Sequence, residues 1–227
     1  MIIKALIGVC LAIAVSGCSP APEASSNLEG ATSAELAAAQ QGSAVRAVCP
    51  SPQATDYFFP IAFFYPDKAY MDDRIRESYS SHLSAMREPS LSCEAGVEDY
   101  RFTWLRSFDH PVSIRVNVDG STGTHTLTAI ELDGAGGYKP GVEKRRVTTK
   151  LSSAQAAELH RALRDERVWE LPGKDYVPGA DGATWIIELR VGSRYHYLER
   201  WSPEDGPIRR LGLMLVSFSG WEFPQVY

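Results

Sequence analysis

Residues 185–201 read WIIELRVGSRYHYLERW, and this stretch decides the fold. Trp185, Ile187, Leu189 and Val191 occupy alternate positions, Gly192-Ser193 supply a two-residue turn, and residues 194–201 return. Period-two alternation on both sides of a glycine-containing two-residue loop is the signature of a β-hairpin. With the loop at 192–193, Val191 faces Arg194, Leu189 faces His196, Ile187 faces Leu198 and Trp185 faces Arg200 on one side of the ribbon. On the other side Arg190 opposes Tyr195, Glu188 opposes Tyr197 and Ile186 opposes Glu199, with Trp201 next along. A slip of one residue would exchange the two faces.

The neighbouring segments extend the pattern. Pro207 suits the first turn of a closing helix in which Ile208, Leu211, Leu215 and Phe218 share a face. Upstream, Ser152 and Gln155 match a capping box ahead of Leu159 and Leu163, and Trp169, Leu171 and Pro172 end that helix. Residues 145–150, 125–132, 112–118 and 100–108 read as strands. Val112, Ile114, Val116 and Val118 alternate cleanly, and Asp119-Gly120 forms a turn. The glycine-rich run from Asp133 to Tyr138 lacks both the Gly-Lys-Ser/Thr ending and the G-x-G-x-x-G spacing of a phosphate cradle, so it is read as turn chemistry. Residues 67–87 carry Ile75, Tyr79, Leu83 and Met86 at helical spacing, closed by Pro89. The aromatic run YFFPIAFFY at 57–65 lines a core or a surface groove. Helices around consecutive hairpins predict a single α+β domain with an antiparallel sheet over residues 47–227.

The chain has 227 residues, 44% hydrophobic and 22% charged, with a formal net charge of -5. That composition is globular. With no basic run, nucleic acid is excluded as the main partner, because phosphate binding needs clustered Lys and Arg.

Residues 1–18, MIIKALIGVCLAIAVSGC, place Lys4 before a short apolar stretch and end on Val15-Ser16-Gly17-Cys18. The stretch suits a signal peptide and is too short to span a bilayer with normal flanks. Val15-Ser16-Gly17-Cys18 resembles the lipobox of bacterial lipoproteins. The resemblance implies a signal peptide over residues 1–17, lipid on Cys18, and membrane attachment through that lipid. Ser19 in place of aspartate implies the outer membrane, facing the periplasm. Residues 18–46 are poor in large apolar side chains and are read as a tether with a reach of roughly 30 Å. In an oxidising periplasm Cys49 and Cys93 are expected to form a structural disulfide, worth roughly 4 kcal/mol in the chain-entropy description.

Chemistry-bearing residues are sparse. Glu188 and Glu199 share a hairpin face as diagonal neighbours, with Asp181 in the loop before them. Two such carboxylates are one arrangement for acid/base cleavage of a sugar bond, and Tyr195, Tyr197 and Trp201 would be the stacking platform for the glycan. The simpler reading is a solvated face on which Glu188 pairs with Arg190 or Arg194 and the tyrosines are half-buried. Arg200 is expected over Trp185. Arg209 and Arg210 pair with Glu204 and Asp205, or mark an anionic ligand. None of His82, His110, His125, His160 and His196 lies four residues from another, and no metal site or cofactor is expected. His196 is read as a core-face residue bonded to backbone and His160 as a helix-surface one. The leading expectation is a non-catalytic module binding an envelope protein or glycan. The alternatives are a glycan- or peptidoglycan-processing hydrolase and an inhibitor of a periplasmic hydrolase acting through the loop at 133–141.

Five phrases also resemble an uncharacterised family of bacterial envelope proteins. They are Glu88-Pro89-Ser90-Leu91, Tyr100-Arg101-Phe102-Thr103-Trp104, Gly136-Gly137-Tyr138, Asp181-Gly182-Ala183-Thr184-Trp185 with Glu188, and Arg200-Trp201-Ser202-Pro203. The resemblance spans roughly residues 79–218 and implies one domain without an assigned activity.

Overall fold

A computed structural model describes residues 58–93, 97–175 and 179–227. Cys18, the tether and Cys49 lie outside the described residues. Helix α1 (Ala69–Ala85) is followed by strands β1 (Val97–Arg106), β2 (Val112–Val118), β3 (His125–Leu132) and β4 (Glu143–Lys150). Helix α2 (Ser153–Asp165), a 3-10 turn (Val168–Glu170), the hairpin β5 (Ala183–Gly192) and β6 (Arg194–Trp201), and helix α3 (Pro207–Ser219) follow among the described residues. The strands form one six-stranded sheet in the order β4-β3-β2-β1-β5-β6, with every neighbouring pair antiparallel. The fold is therefore α+β, built of consecutive hairpins with helices packed around them. In the β5–β6 hairpin Val191 pairs with Arg194, Leu189 with His196, Ile187 with Leu198 and Trp185 with Arg200, the register read from the turn.

The two faces differ in chemistry. On one, Phe102, Trp104, Ile114, Leu127, Trp185, Ile187 and Leu198 meet Leu159, Leu163, Ile208, Leu211 and Leu215 in the main core. Burying each large side chain there contributes roughly 1.5–3 kcal/mol, which makes this layer the principal source of stability. Helix α2 starts where its capping box requires: the Ser152 side chain accepts from the Gln155 amide, and Gln155 accepts from the Ser152 amide. Helix α3 comes close to the sheet at Gly212, where a Cβ would stand 2.8 Å from the Trp185 ring.

The other face carries alternate polar residues of β1, β2, β5 and β6, and the aromatic run with α1 covers it. Phe59, Phe64, Tyr79, Leu83, Leu105, Ile186 and Tyr197 form a second apolar cluster there. The Asp72 carboxylate organises the covering segment by accepting from the backbone N–H groups of Ala62, Phe64 and Tyr65 at 2.7–3.0 Å. Three amides that would lack partners in a dry layer are thereby satisfied. A solvated outer face was the simpler expectation for the hairpin, and this cover overturns it. Glu188, Glu199 and Tyr197 are all buried.

Tyr227 lies over the main core. Its main-chain oxygen accepts from the indole N–H groups of both Trp104, at 3.1 Å, and Trp185, at 2.9 Å. The Tyr227 hydroxyl donates to Asp109. Both tryptophans are fully buried. A chain truncated before Tyr227 leaves two buried donors without this acceptor, at about 1–3 kcal/mol each. Urea unfolding of the truncated chain should show that loss with an unchanged denaturant slope; unchanged stability would mean that water replaces that oxygen.

Candidate functional site

Arg101 lies in the central strand β1, directly between Arg115 of β2 and Glu188 of β5. Its side chain is 0% exposed. The guanidinium donates from Nε and Nη2 to Glu188 Oε2 at 2.8 and 2.6 Å, and from Nη1 to the Pro89 carbonyl at 2.7 Å. Glu88, beyond the end of α1, approaches the same Nη1 at 3.4 Å. Arg115 bridges Glu88 and Asp99 at 2.7 Å each, and Asn117 donates to Asp99. Burial alone would lower the pKa of Arg101; the charges of Glu188 and Glu88 outweigh it and raise the value.

The other oxygen of Glu188 accepts from the Tyr195 hydroxyl at 2.9 Å. Both oxygens are thus engaged, and Glu188 is closed to proton transfer with a ligand. Burial, then the Glu188 charge, pushes the Tyr195 phenol well up. Neither Arg190 nor Arg194 is the partner, contrary to the simpler sequence reading: Arg190 donates to the carbonyls of Ser92 and Ser193, and Arg194 stands over Trp169.

Glu199 is held separately. One oxygen accepts from the Tyr197 hydroxyl at 2.6 Å and the other meets Lys174 Nζ at 2.9 Å. The Tyr197 ring is enclosed edge-on by Phe59, Phe63 and Phe64, with centroids 5.3–5.8 Å away. Tyr195 packs on Phe63. These two tyrosines are therefore layers of the covered face, which corrects their reading as a stacking platform.

Trp201 has a different setting. It lines an open groove of about 470 Å³ together with Asp181, Glu199, Lys174 and Thr184. Phe108 and the loop Gly136-Gly137-Tyr138 line it too, with Ser107, Leu105 and Tyr65. Glycines allow two close approaches in this lining. A Cβ on Gly136 would stand 2.5 Å from the Arg106 nitrogen, and one on Gly179 would collide with the Trp201 indole. The Gly136 amide instead donates to the Arg106 carbonyl at 2.8 Å, laying the loop on the end of β1. Phe108 and Tyr138 stand 61% and 67% exposed with ring centroids 6.1 Å apart. Large exposed aromatics at a concave site mark contact surfaces more often than isolated surface rings do.

The remaining candidates are internal. Arg209 donates to the Pro203 carbonyl at 2.9 Å and stands over Trp185, the ring expected to carry Arg200. Arg200 instead pairs with Asp175 at 2.9 Å. Arg210 pairs with Glu166 at 2.6 Å and Asp205 at 2.9 Å, one of its two expected partners. His196 is buried on the core face and stacks on Trp169, while its Nε2 has no hydrogen-bond partner among the described residues. Among the described residues, no group of three or more His, Cys, Asp or Glu side chains could hold a metal ion. Sequence reasoning missed Phe108, Tyr138 and Lys174, which come from three separate loops. Only the Gly136-Gly137-Tyr138 phrase gave any signal, by pairing two small residues with an aromatic one.

No family model matches the chain, and no curated protein matches it.

Replacing Arg101 by Met leaves Glu188 buried without its cation, and such losses cost about 3–5 kcal/mol. Chemical denaturation should show Arg101→Met to be far more destabilised than Arg210→Met, whose ion pairs are exposed. Equal effects would mean that the buried pair contributes nothing beyond a surface one.

Proposed function

We propose that the chain is a lipid-anchored, periplasm-facing module of the cell envelope that binds a ligand in the groove without performing catalysis. The observation that supports this best is the contrast between the carboxylates and the rings. Both oxygens of Glu188 and both of Glu199 are engaged by the protein itself, whereas Phe108 and Tyr138 line the groove as exposed rings. A general acid or base needs reach to its substrate proton, which Glu188 lacks. A ligand with alternating apolar and hydroxyl faces, such as a sugar ring, suits a cleft that sets aromatic rings beside Ser107, Thr184 and Asp181. A glycan of the envelope is thus the ligand class in best accord with both the groove and the N-terminal lipobox. Hydrolysis of such a glycan is the competing reading, because Asp181 and Glu199 line the same groove. Inhibition through residues 133–141 has less support, since Gly136 and Gly137 are packed onto β1 and Ser107.

The full chain should co-sediment with purified peptidoglycan sacculi. Phe108→Ala with Tyr138→Ala should weaken that retention about tenfold, corresponding to about 1.4 kcal/mol. Undiminished retention would remove the groove from the ligand site. Release of soluble sugar fragments, abolished by Asp181→Asn, would replace binding by catalysis. The anchor has a separate test. Cys18→Ser should accumulate as unprocessed precursor that takes up no labelled fatty acid, and normal processing of the variant would overturn lipidation.

A further inference from the structure

The groove already holds one ammonium group of the chain itself. Lys174 Nζ meets Glu199 Oε1 at 2.9 Å and stands 5.2 Å from the centre of the Tyr65 ring. A carboxylate and an aromatic face thus share one cation, which opposite charge and the ring quadrupole both favour. Asp181, Trp201, Phe108 and Tyr138 line the same groove and are a second set of the same components. Asp181 is exposed, and among the described residues no ion pair or hydrogen bond engages its side chain. We propose, on the basis of the groove as a glycan site, that this second set receives the ammonium group of an amino sugar, with Asp181 as its counter-ion.

Ser107 brings the set together. Its amide donates to the Gly182 carbonyl at 2.8 Å, and its carbonyl accepts from the Gly137 amide at 3.2 Å. Asp181 precedes Gly182, Phe108 follows Ser107 and Tyr138 follows Gly137, so three separate segments deliver these side chains around one residue. The Trp201 indole closes on the backbone to either side of Asp181. A Cβ at Gly182 would stand 2.9 Å from that indole, and one at Gly179 would collide with it. The carboxylate is therefore carried by a segment laid against one ring, and Ser107 ties that segment to the exposed pair Phe108 and Tyr138, whose centroids are 6.1 Å apart.

The charges of the lining set the sign of the ligand. Lys174 pairs with Glu199, and Asp175 pairs with Arg200 at 2.9 Å. Asp181 is left over, so the groove presents a negative charge to whatever enters it. An acidic sugar would meet that charge unopposed. A neutral N-acetylated sugar would stack on the rings but make no ion pair. A protonated amine satisfies the carboxylate and is attracted by the ring faces as well. Water in an open groove weakens both attractions, and the gain over the acetylated sugar is about tenfold, the size of an exposed ion pair and an exposed cation–π contact together.

Titration calorimetry of the full chain at about pH 6, where the amine carries a proton, compares glucosamine oligomers with their N-acetylated counterparts of equal length. The amine form should bind about tenfold more tightly. Asp181→Asn should erase that preference without weakening binding of the acetylated form. Asp165→Asn removes an exposed carboxylate from the end of α2, across the sheet from the groove, and should leave the preference intact. It separates a local counter-ion from the general pull of a chain of net charge -5 on a polycation. Equal binding of the two sugars, a preference that survives Asp181→Asn, or one that Asp165→Asn also erases would overturn the amine and leave the groove as a glycan site. Binding of neither sugar would overturn the glycan reading of the groove along with it. Tighter binding of a sugar-free lysine peptide than of either oligomer would overturn the sugar as the carrier of the amine.

Discussion

One guanidinium settles how the polar face of this sheet is arranged. Arg101 occupies one of the two central strands of six, without solvent, and draws in Glu188 from β5, the Pro89 carbonyl from the segment after α1, and through Glu88 the side chain of Arg115 from β2. Removing such charges from water costs several kcal/mol per ion, so the arrangement adds less stability than its short distances suggest. Its effect is on alignment. Arg101 stands opposite Glu188 in one ladder and Arg115 in the other, and a slip in either would strand a charge under the aromatic cover. The apolar face supplies most of the favourable energy, while the ionic face specifies which pairing the strands adopt.

That division explains what the sequence made legible. The β5–β6 register follows from local facts, a two-residue loop and period-two alternation, and both survive into the structure. The capping box at Ser152 and the apolar stripe of α3 are local in the same sense. The environment of Glu188 is not local, because its partner Arg101 is 87 residues away and its cover comes from the aromatic run ahead of α1. A glutamate between two strand positions looks solvated unless the element above it is known. Helix α1 shows the same limit. Ile75, Tyr79 and Leu83 mark its apolar stripe, yet Asp72, Arg76, Ser80 and His82 are also buried, each on polar groups of neighbouring segments that no periodicity displays.

The groove exists because of the same non-local contacts. One wall is a glycine pair pressed against the end of β1, and another is an indole lying across Gly179 and Gly182. Neither wall can be read from spacing, since each glycine matters only through what approaches it. Glu188 and Glu199 are taken up in holding the layers together, while Asp181 in the groove and the exposed rings of Phe108 and Tyr138 are not. A polar residue's role here depends on whether the fold has already used it.

The pairing of β1 with β5 also bears on the order in which the molecule can form. Strands β1 to β4 are a simple meander that can assemble from adjacent segments, but the free edge of β1 waits for β5, as in the pairing of Trp104 with Trp185. Contacts of such sequence separation carry a loop-closure cost before they return any stabilisation, which slows folding. A chain synthesised or threaded from its N-terminus thus keeps its centre open until most of its length has emerged. Over that interval the unpaired edge presents Asp99 and Arg101, charges that discourage a stray strand from docking there. The residues that lock the finished sheet also guard it while it is incomplete.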